Sequence, residues 1–267
     1  MGARPMKQLR QYIRSILLEA IPIDVKVGDV ILTGRFKNKR TVVKSIGKDK
    51  YGHPTINGKS ILKFKIEKQL PVKKRSAKTR QELKKESIIR RLAERIRQED
   101  FEDVMQTAQL AHMGQTRRDG TPYISHPIAV SNIVKTYYPR NYAAQLLALL
   151  HDTLEDAPKL GHITEEELRQ IIRGSITDPN DLESIEIALD QMTHNKAEHP
   201  IYEDYLSNVF QNPLAAIVKI ADLIHNLSHN PSPRQIQKYK RALSNIRPPR
   251  YIKSAMLGRL YGILNKS

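Results

Sequence analysis

The chain contains no cysteine. Disulfides and thiolate zinc sites are therefore excluded, and any metal must be held by nitrogen and oxygen. A thiol-free chain also fits a reducing, cytoplasmic setting. There is no long apolar run either. The longest, residues 143–150, is broken by Gln145 and falls far short of the roughly 20 residues of a membrane span, so no membrane partner is expected. The start "MGARPMKQLRQYIRS" has basic residues but no apolar stretch behind them, which argues against a secretory signal. Acidic residues are scarce in the first third. Residues 1–99 hold 27 Lys+Arg against 9 Asp+Glu, whereas residues 101–267 hold 18 against 18. All the excess positive charge thus lies in residues 1–99, and it points to a polyanion or an acidic partner for that part alone. Aromatic residues there are few: Tyr51 and Phe64 do not make the stacking pattern of single-strand binders.

With 267 residues the chain can bury a real core in one large domain or two smaller ones. Residues 6–20 place Leu9, Ile13, Ile16, Leu17 and Ala20 at helical spacing around Arg10 and Arg14, which predicts an amphipathic leader helix within 1–22. Residues 23–71 change character. "DVKVGDVILTG", "KRTVVKSIG" and "SILKFKIEKQL" alternate or run in β-branched residues, separated by "RFKN", "KDKYGHP" and "NGK". Such turn density predicts a small basic β module of three to five strands, an SH3-like barrel. Residues 72–99 read as a Lys/Arg-rich linker passing into a helix. Residues 100–267 carry no useful period-2 segment and are expected to be all-helical, with one helix over 141–155. The fold class is thus mainly α behind a β-rich N-terminal module.

The segment "HDTLED", residues 151–156, sets a histidine and three carboxylates behind the apolar run "AAQLLALL". On a continuous helix His151 and Asp152 sit side by side, and Glu155 and Asp156 return one turn later to the same face. Ionisable groups at the end of a buried helix are unfavourable unless a metal or hydrogen bonds compensate. Further donors exist: His126 in "PYISHP", before Pro127, and Asp222 in "VKIADLIHNL", with His225 and Asn226 nearby. A lone Asp on an apolar helix is more often a cap or a paired core group. An ordered set of His, His-Asp and Asp is different.

That order resembles the HD superfamily of helical, metal-dependent phosphohydrolases. More specifically, "AHMGQTRRDGTPYISHPIAVSNIV", "ALLHDTLEDA" and "IVKIADLIHNL" resemble the three hydrolase signatures of the RelA/SpoT family over residues 108–227. The resemblance implies that His126, His151, Asp152 and Asp222 hold one divalent ion, Mn²⁺ in this family, although nitrogen and carboxylate donors also suit Fe²⁺, Co²⁺ or Zn²⁺. It implies that Glu155 and Asp156 orient and activate the attacking water. It further implies that Arg117 stacks on guanine, with Arg118 beside it and Asn226 facing the nucleotide. The reaction so implied is hydrolysis of the 3′-pyrophosphate of ppGpp or pppGpp to GDP or GTP and pyrophosphate. His112 and His225 read as structural, and Thr193 and Lys196 receive no role.

Two departures from the family pattern bear on the substrate. Leu223 stands where a basic residue is usual, and "LSH" at 227–229 replaces the usual basic residue and threonine or aspartate. A polyphosphate gains from each basic partner, so another phosphorylated nucleotide remains open, such as a defence signal or NADPH, whose 2′-phosphate an animal relative removes. A virion or nucleic-acid-binding protein with a degenerate HD scaffold is the third reading, and the six ionisable site residues argue against it. The first 70 residues also resemble a leader and module found at the start of proteins of large tailed bacteriophages. There Leu17, Leu18, Glu19 and Ala20 match a capsid-targeting leader cut after Glu19, and residues 1–99 would tether the chain to nucleic acid or a virion component.

Overall fold

In the computed structural model, residues 25–50, 52–61, 64–161, 163–194 and 200–266 are described. The expected leader helix and its cleavage point lie outside them, as do Tyr51 and Lys196. The chain forms two compact units, divided after Leu92. No helix of the described residues is long and apolar enough to cross a membrane.

In the N-terminal unit closely spaced turns cut the chain into six short strands, more than expected: β1 (Val30–Thr33), β2 (Lys39–Val42), β3 (Ile46–Lys48), β4 (Pro54–Ile56), β5 (Lys59–Ser60) and β6 (Lys65–Ile66). They form two antiparallel sheets, ordered β2-β1-β6 and β3-β4-β5. Val30 pairs with Val42 and Ile31 with Ile66 in the first, and Ile56 with Lys59 in the second. Asn57 and Gly58 both have positive φ, 50° and 70°, as the two-residue hairpin turn between β4 and β5 demands. The Asn57 side chain joins the sheets: its Oδ1 accepts from the N–H of Lys44 and Ser45, and its Nδ2 donates to the Val42 carbonyl. Ile31, Val43, Ile56 and Phe64 form a core of their own.

The expected linker over 72–99 is helical from Ala77 onward, as α1 (Ala77–Ala111). The segment contains neither proline nor glycine and is rich in Ala, Leu, Glu, Lys, Arg and Gln, the strongest helix formers. Pairs one turn apart, such as Arg95 with Glu99 and Gln98 with Glu102, offset its charge.

The helical unit comprises the end of α1 and α2 (Ser125–Tyr137), α3 (Tyr142–Leu150), α4 (Thr153–Leu160), α5 (Glu165–Gly174), α6 (Pro179–Met192), α7 (Tyr202–Val209), α8 (Pro213–Ser228), α9 (Pro233–Asn245) and α10 (Ser254–Leu264). Helix α8 is the hub. It packs against α2, α3, α6, α7 and α10, and its apolar residues from Ala215 to Leu227 are buried, as a helix hydrophobic on every side must be. Asn212 caps its start, accepting from the N–H of Leu214 and Ala215.

The helix expected over 141–155 is two helices, broken at His151 and Asp152. Side chains there take over carbonyls that a continuing helix would use. His151 Nδ1 donates to the Ala148 carbonyl at 2.8 Å and Thr153 Oγ1 to that of Leu150 at 2.7 Å. His151 and Asp152 therefore occupy the turn, and Glu155 and Asp156 belong to the first turn of the next helix.

Candidate metal centre

Three buried segments deliver the donors. The entry to α2 carries His126, the α3–α4 turn carries His151 and Asp152, and the middle of α8 carries Asp222. Their atoms converge: His126 Nε2 lies 3.2 Å from His151 Nε2, 3.3 Å from Asp222 Oδ1 and 3.4 Å from Asp152 Oδ2. His151 Nε2 lies 3.1 Å from Asp152 Oδ2 and 3.9 Å from Asp222 Oδ1. Donors each about 2.1 Å from a shared ion would stand roughly 3.0–3.5 Å apart, so the spacing fits a cation. Among the described residues, His126, His151 and Asp222 stand out as a buried group able to hold one. Asp152 exposes a quarter of its side chain, so the cluster opens toward solvent on its side.

The protonation chemistry supports that fit. Burial alone would raise Asp152 and Asp222. His151 and His126 beside the first, and Lys219 and His126 beside the second, instead hold both well below the usual carboxylate range. Burial would lower His126, but Asp152 and Asp222 outweigh it and push it up to about 9. Two buried carboxylates thus call for positive charge at one point, and a metal would displace the proton that otherwise supplies it.

Outside the donor set, each group is oriented by a neighbour. Tyr123 donates its hydroxyl to Asp152 Oδ2 at 2.7 Å, Asn226 its amide to Asp222 Oδ1 at 2.5 Å, and Lys219 its ammonium to Asp222 Oδ2 at 3.0 Å. The two Nδ1 atoms of His126 and His225 are 2.8 Å apart. Burial, with His126 and His229 close by, pushes His225 down to about 3, so it is the neutral acceptor. His126 then donates from Nδ1 and keeps its Nε2 lone pair for the cluster, the usual outer arrangement of a ligating histidine. Gln115 accepts from His112 Nδ1 at 2.7 Å and donates to Asp156 Oδ2 at 2.9 Å. No local sequence pattern marks Tyr123, Gln115 or Lys219 as supports of the cluster, and His112 and His225, which read as structural, stand beside it. His225 was legible as the residue one helical turn from Asp222; Tyr123 and Gln115 become visible only once the loop is closed.

That loop is a hairpin over 115–123. The N–H of Arg117 donates to the Thr121 carbonyl and that of Tyr123 to the Gln115 carbonyl. It carries Arg117, half-buried, and Arg118, exposed, with Arg117 close enough to His225 to help lower it. Glu155 and Asp156 keep part of their side chains in solvent, near Lys159. Leu223 is fully buried, so the position where a basic residue was expected faces the core. Ser228 is exposed and donates to the Ile224 carbonyl, and the His229 ring lies 4.1 Å from that of His225. Thr193 donates to the Leu189 carbonyl. Tyr239 of α9 is buried next to Tyr202.

No family model matches the chain. Among curated proteins it is 32% identical over 117 residues to the guanosine-3′,5′-bis(diphosphate) 3′-pyrophosphohydrolase of Haemophilus influenzae, covering 44% of this chain and 16% of that protein. It is 30% identical over 181 residues to the protein of the same name from Borreliella burgdorferi, covering 62% and 25%. With the bifunctional (p)ppGpp synthase/hydrolase SpoT of Escherichia coli it shares 31% over 117 residues, covering 44% and 16%. The chain thus spans a quarter or less of the length of these relatives. Over part of its length, and at modest identity, the chain is homologous to the (p)ppGpp hydrolases and synthetases of the RelA/SpoT group.

Proposed function

We propose that the helical unit is an HD-type phosphohydrolase that removes the 3′-pyrophosphate of ppGpp or pppGpp, releasing GDP or GTP and pyrophosphate. The observation that carries this reading is the buried group of His126, His151 and Asp222, with Asp152 Oδ2 3.1 Å from His151 Nε2 on the side that meets solvent. Those four residues would hold the divalent ion, with Mn²⁺ as the family's metal. When bound, such an ion supplies Lewis-acid charge and lowers the pKa of water.

The chain's own groups do the rest. Glu155 and Asp156, at the start of α4, accept a proton from the attacking water and orient it toward phosphorus. Gln115 holds Asp156 from the far side, leaving its other oxygen for that task. Tyr123 and Asn226 fix the carboxylates that face the histidines, so that the site is set before substrate arrives. Arg117, on the hairpin, offers a planar guanidinium to the guanine, with Arg118 beside it and Asn226 toward the nucleotide. Buried Leu223 supplies no charge to a polyphosphate, so of the two hairpin arginines Arg118 is the one left to meet the phosphates.

Product analysis after incubation with ppGpp tests this, with and without Mn²⁺ and alongside Asp152→Ala. Release of GDP and pyrophosphate that requires both the metal and Asp152 is the expected result. Metal binding without turnover of ppGpp would overturn the substrate while leaving the site, and would direct the assay to NADPH and other phosphorylated nucleotides.

A further inference from the structure

The N-terminal unit carries a feature that hydrolysis does not use. Residues 25–75 hold fifteen Lys+Arg against three Asp+Glu, and all three acids serve the module itself. Asp29 is buried against Lys68 at 3.1 Å. Glu67 is buried against Arg40 at 2.7 Å. Asp49 accepts from the N–H of His53. The surface left to solvent is therefore almost purely cationic.

Part of that surface is concave. A cavity of about 740 Å³ lies against the β1–β2 hairpin and the Asn57–Lys59 turn, with Ile31 and Phe64 as its apolar floor and Arg35, Lys37, Lys39, Arg40 and Lys59 around it. No carboxylate lines it. Among the described residues, the side chains of Arg35, Lys39 and Lys59 form no ion pair. Phe36, between the lining residues Arg35 and Lys37 in the chain, is 80% exposed, with the Arg35 guanidinium 5.8 Å from its ring centre. A phenylalanine left that far in water beside cations is positioned to stack on a flat apolar face carrying negative charge.

We propose that this concavity binds single-stranded nucleic acid, with phosphates on Arg35, Lys39 and Lys59 and a base on Phe36. Cations alone would serve any polyanion. The exposed ring and the apolar floor select a strand whose base faces are free, since a paired duplex offers phosphates but no base face to stack on. The site is independent of the hydrolase reading. It uses none of the metal-centre residues, and it gives the charge excess of the first third a place. Phe36 was not counted among the aromatics of the sequence, because nothing in its local pattern shows that the hairpin turns it outward.

The test is fluorescence anisotropy of the full chain with labelled oligothymidylate and with a labelled duplex of equal length, over a series of salt concentrations. The strand is expected to bind more tightly than the duplex, with log affinity falling linearly in log salt. Lys39→Gln with Lys59→Gln should reduce that slope by about 1.4, from roughly 0.7 per phosphate contact on a single strand. Phe36→Ala should weaken binding about tenfold and leave the slope alone. Lys44→Gln with Lys48→Gln, outside the cavity, should keep both the slope and most of the affinity. Melting curves of each variant confirm the fold, since all the substituted side chains are exposed. Absence of strand binding at low salt, equal affinity for the duplex, displacement by polyglutamate, or an unchanged slope in the Lys39/Lys59 variant would each overturn the proposal.

Discussion

Glu67 in the N-terminal unit and Asp222 in the helical unit are both buried carboxylates held below their ordinary range, yet their surroundings differ in kind. Glu67 is saturated by its own module. It accepts from Arg40 Nε at 2.7 Å, the Ser76 N–H at 2.8 Å, Ser76 Oγ at 3.1 Å and Thr79 Oγ1 at 2.7 Å. Burial pushes its carboxyl up, and the hydrogen bonds from Thr79, Arg40 and Ser76 together more than reverse that. Asp222 instead shares its space with Asp152 and two imidazoles whose Nε2 atoms face each other at 3.2 Å. A buried charge met by enough donors is architecture. Asp222 is also met by donors, from Lys219, Asn226 and His126, but it stands beside a second carboxylate and two imidazole nitrogens at ligand spacing, a grouping that suits a cation.

The largest expected effect separates the two. Asp152→Ala should reduce ppGpp hydrolysis about a thousandfold or more, since the several kcal/mol a metal ion contributes to the barrier translate at roughly 1.4 kcal/mol per tenfold. The metal-free variant should melt only slightly below wild type, because Tyr123 and His126 lose a partner that is itself a quarter exposed. A large drop in melting temperature without metal would make the cluster architectural and erase the contrast.

Glu67→Ala should do the reverse. It leaves the Arg40, Ser76 and Thr79 donors without their acceptor, and should destabilise the N-terminal unit by about 2–3 kcal/mol while hydrolysis stays at the wild-type rate. The same carboxylate carries a pH dependence. Its folded value lies below its unfolded one, so its contribution is complete above the ordinary glutamate value near 4.5 and is lost as pH falls through the folded value. Urea melts of the wild type from pH 6 to pH 3 should show that loss, and Glu67→Gln should flatten this part of the profile.

A smaller effect probes the second ring of groups at the metal centre. His225→Ala removes the acceptor that sets the tautomer of His126, and should weaken Mn²⁺ binding about 10–100-fold by calorimetric titration. Unchanged affinity would return His225 to the structural role that its buried position suggests. The smallest expected change is in Arg117→Ala, which should raise KM for ppGpp about tenfold with kcat nearly preserved, as for a contact made equally in ground and transition states.

The legibility of the two units follows the same division. The alternation in "DVILTG", the "NG" turn and the apolar run "AAQLLALL" depend on local periodicity and turn chemistry, and β1, the β4–β5 hairpin and α3 formed where those signals stood. The helix expected over 141–155 broke because the side chains of His151 and Thr153 took backbone carbonyls, a competition that periodicity does not register. The stretch over 72–99, expected to pass from linker into helix, is helical already from Ala77, because its Ala, Leu, Glu, Lys, Arg and Gln favour helix even where charge dominates the composition.

By itself, the sequence determined which chemistry the chain could carry. Without cysteine, any metal centre would have to be built from imidazole and carboxylate, and the order His, His-Asp, Asp offers candidates for it. Tertiary structure alone decided their convergence, because His126 and Asp222 lie 96 positions apart on different helices and meet only when α2, α3 and α8 pack. It also decided that Tyr123, Gln115, Lys219 and His225 stand behind the cluster, and that Leu223 turns into the core. Phe36 projects beside a cationic hollow for the same reason. Such placements depend on which side of each element faces the interior, a property of packing between distant segments that no single stretch of sequence contains.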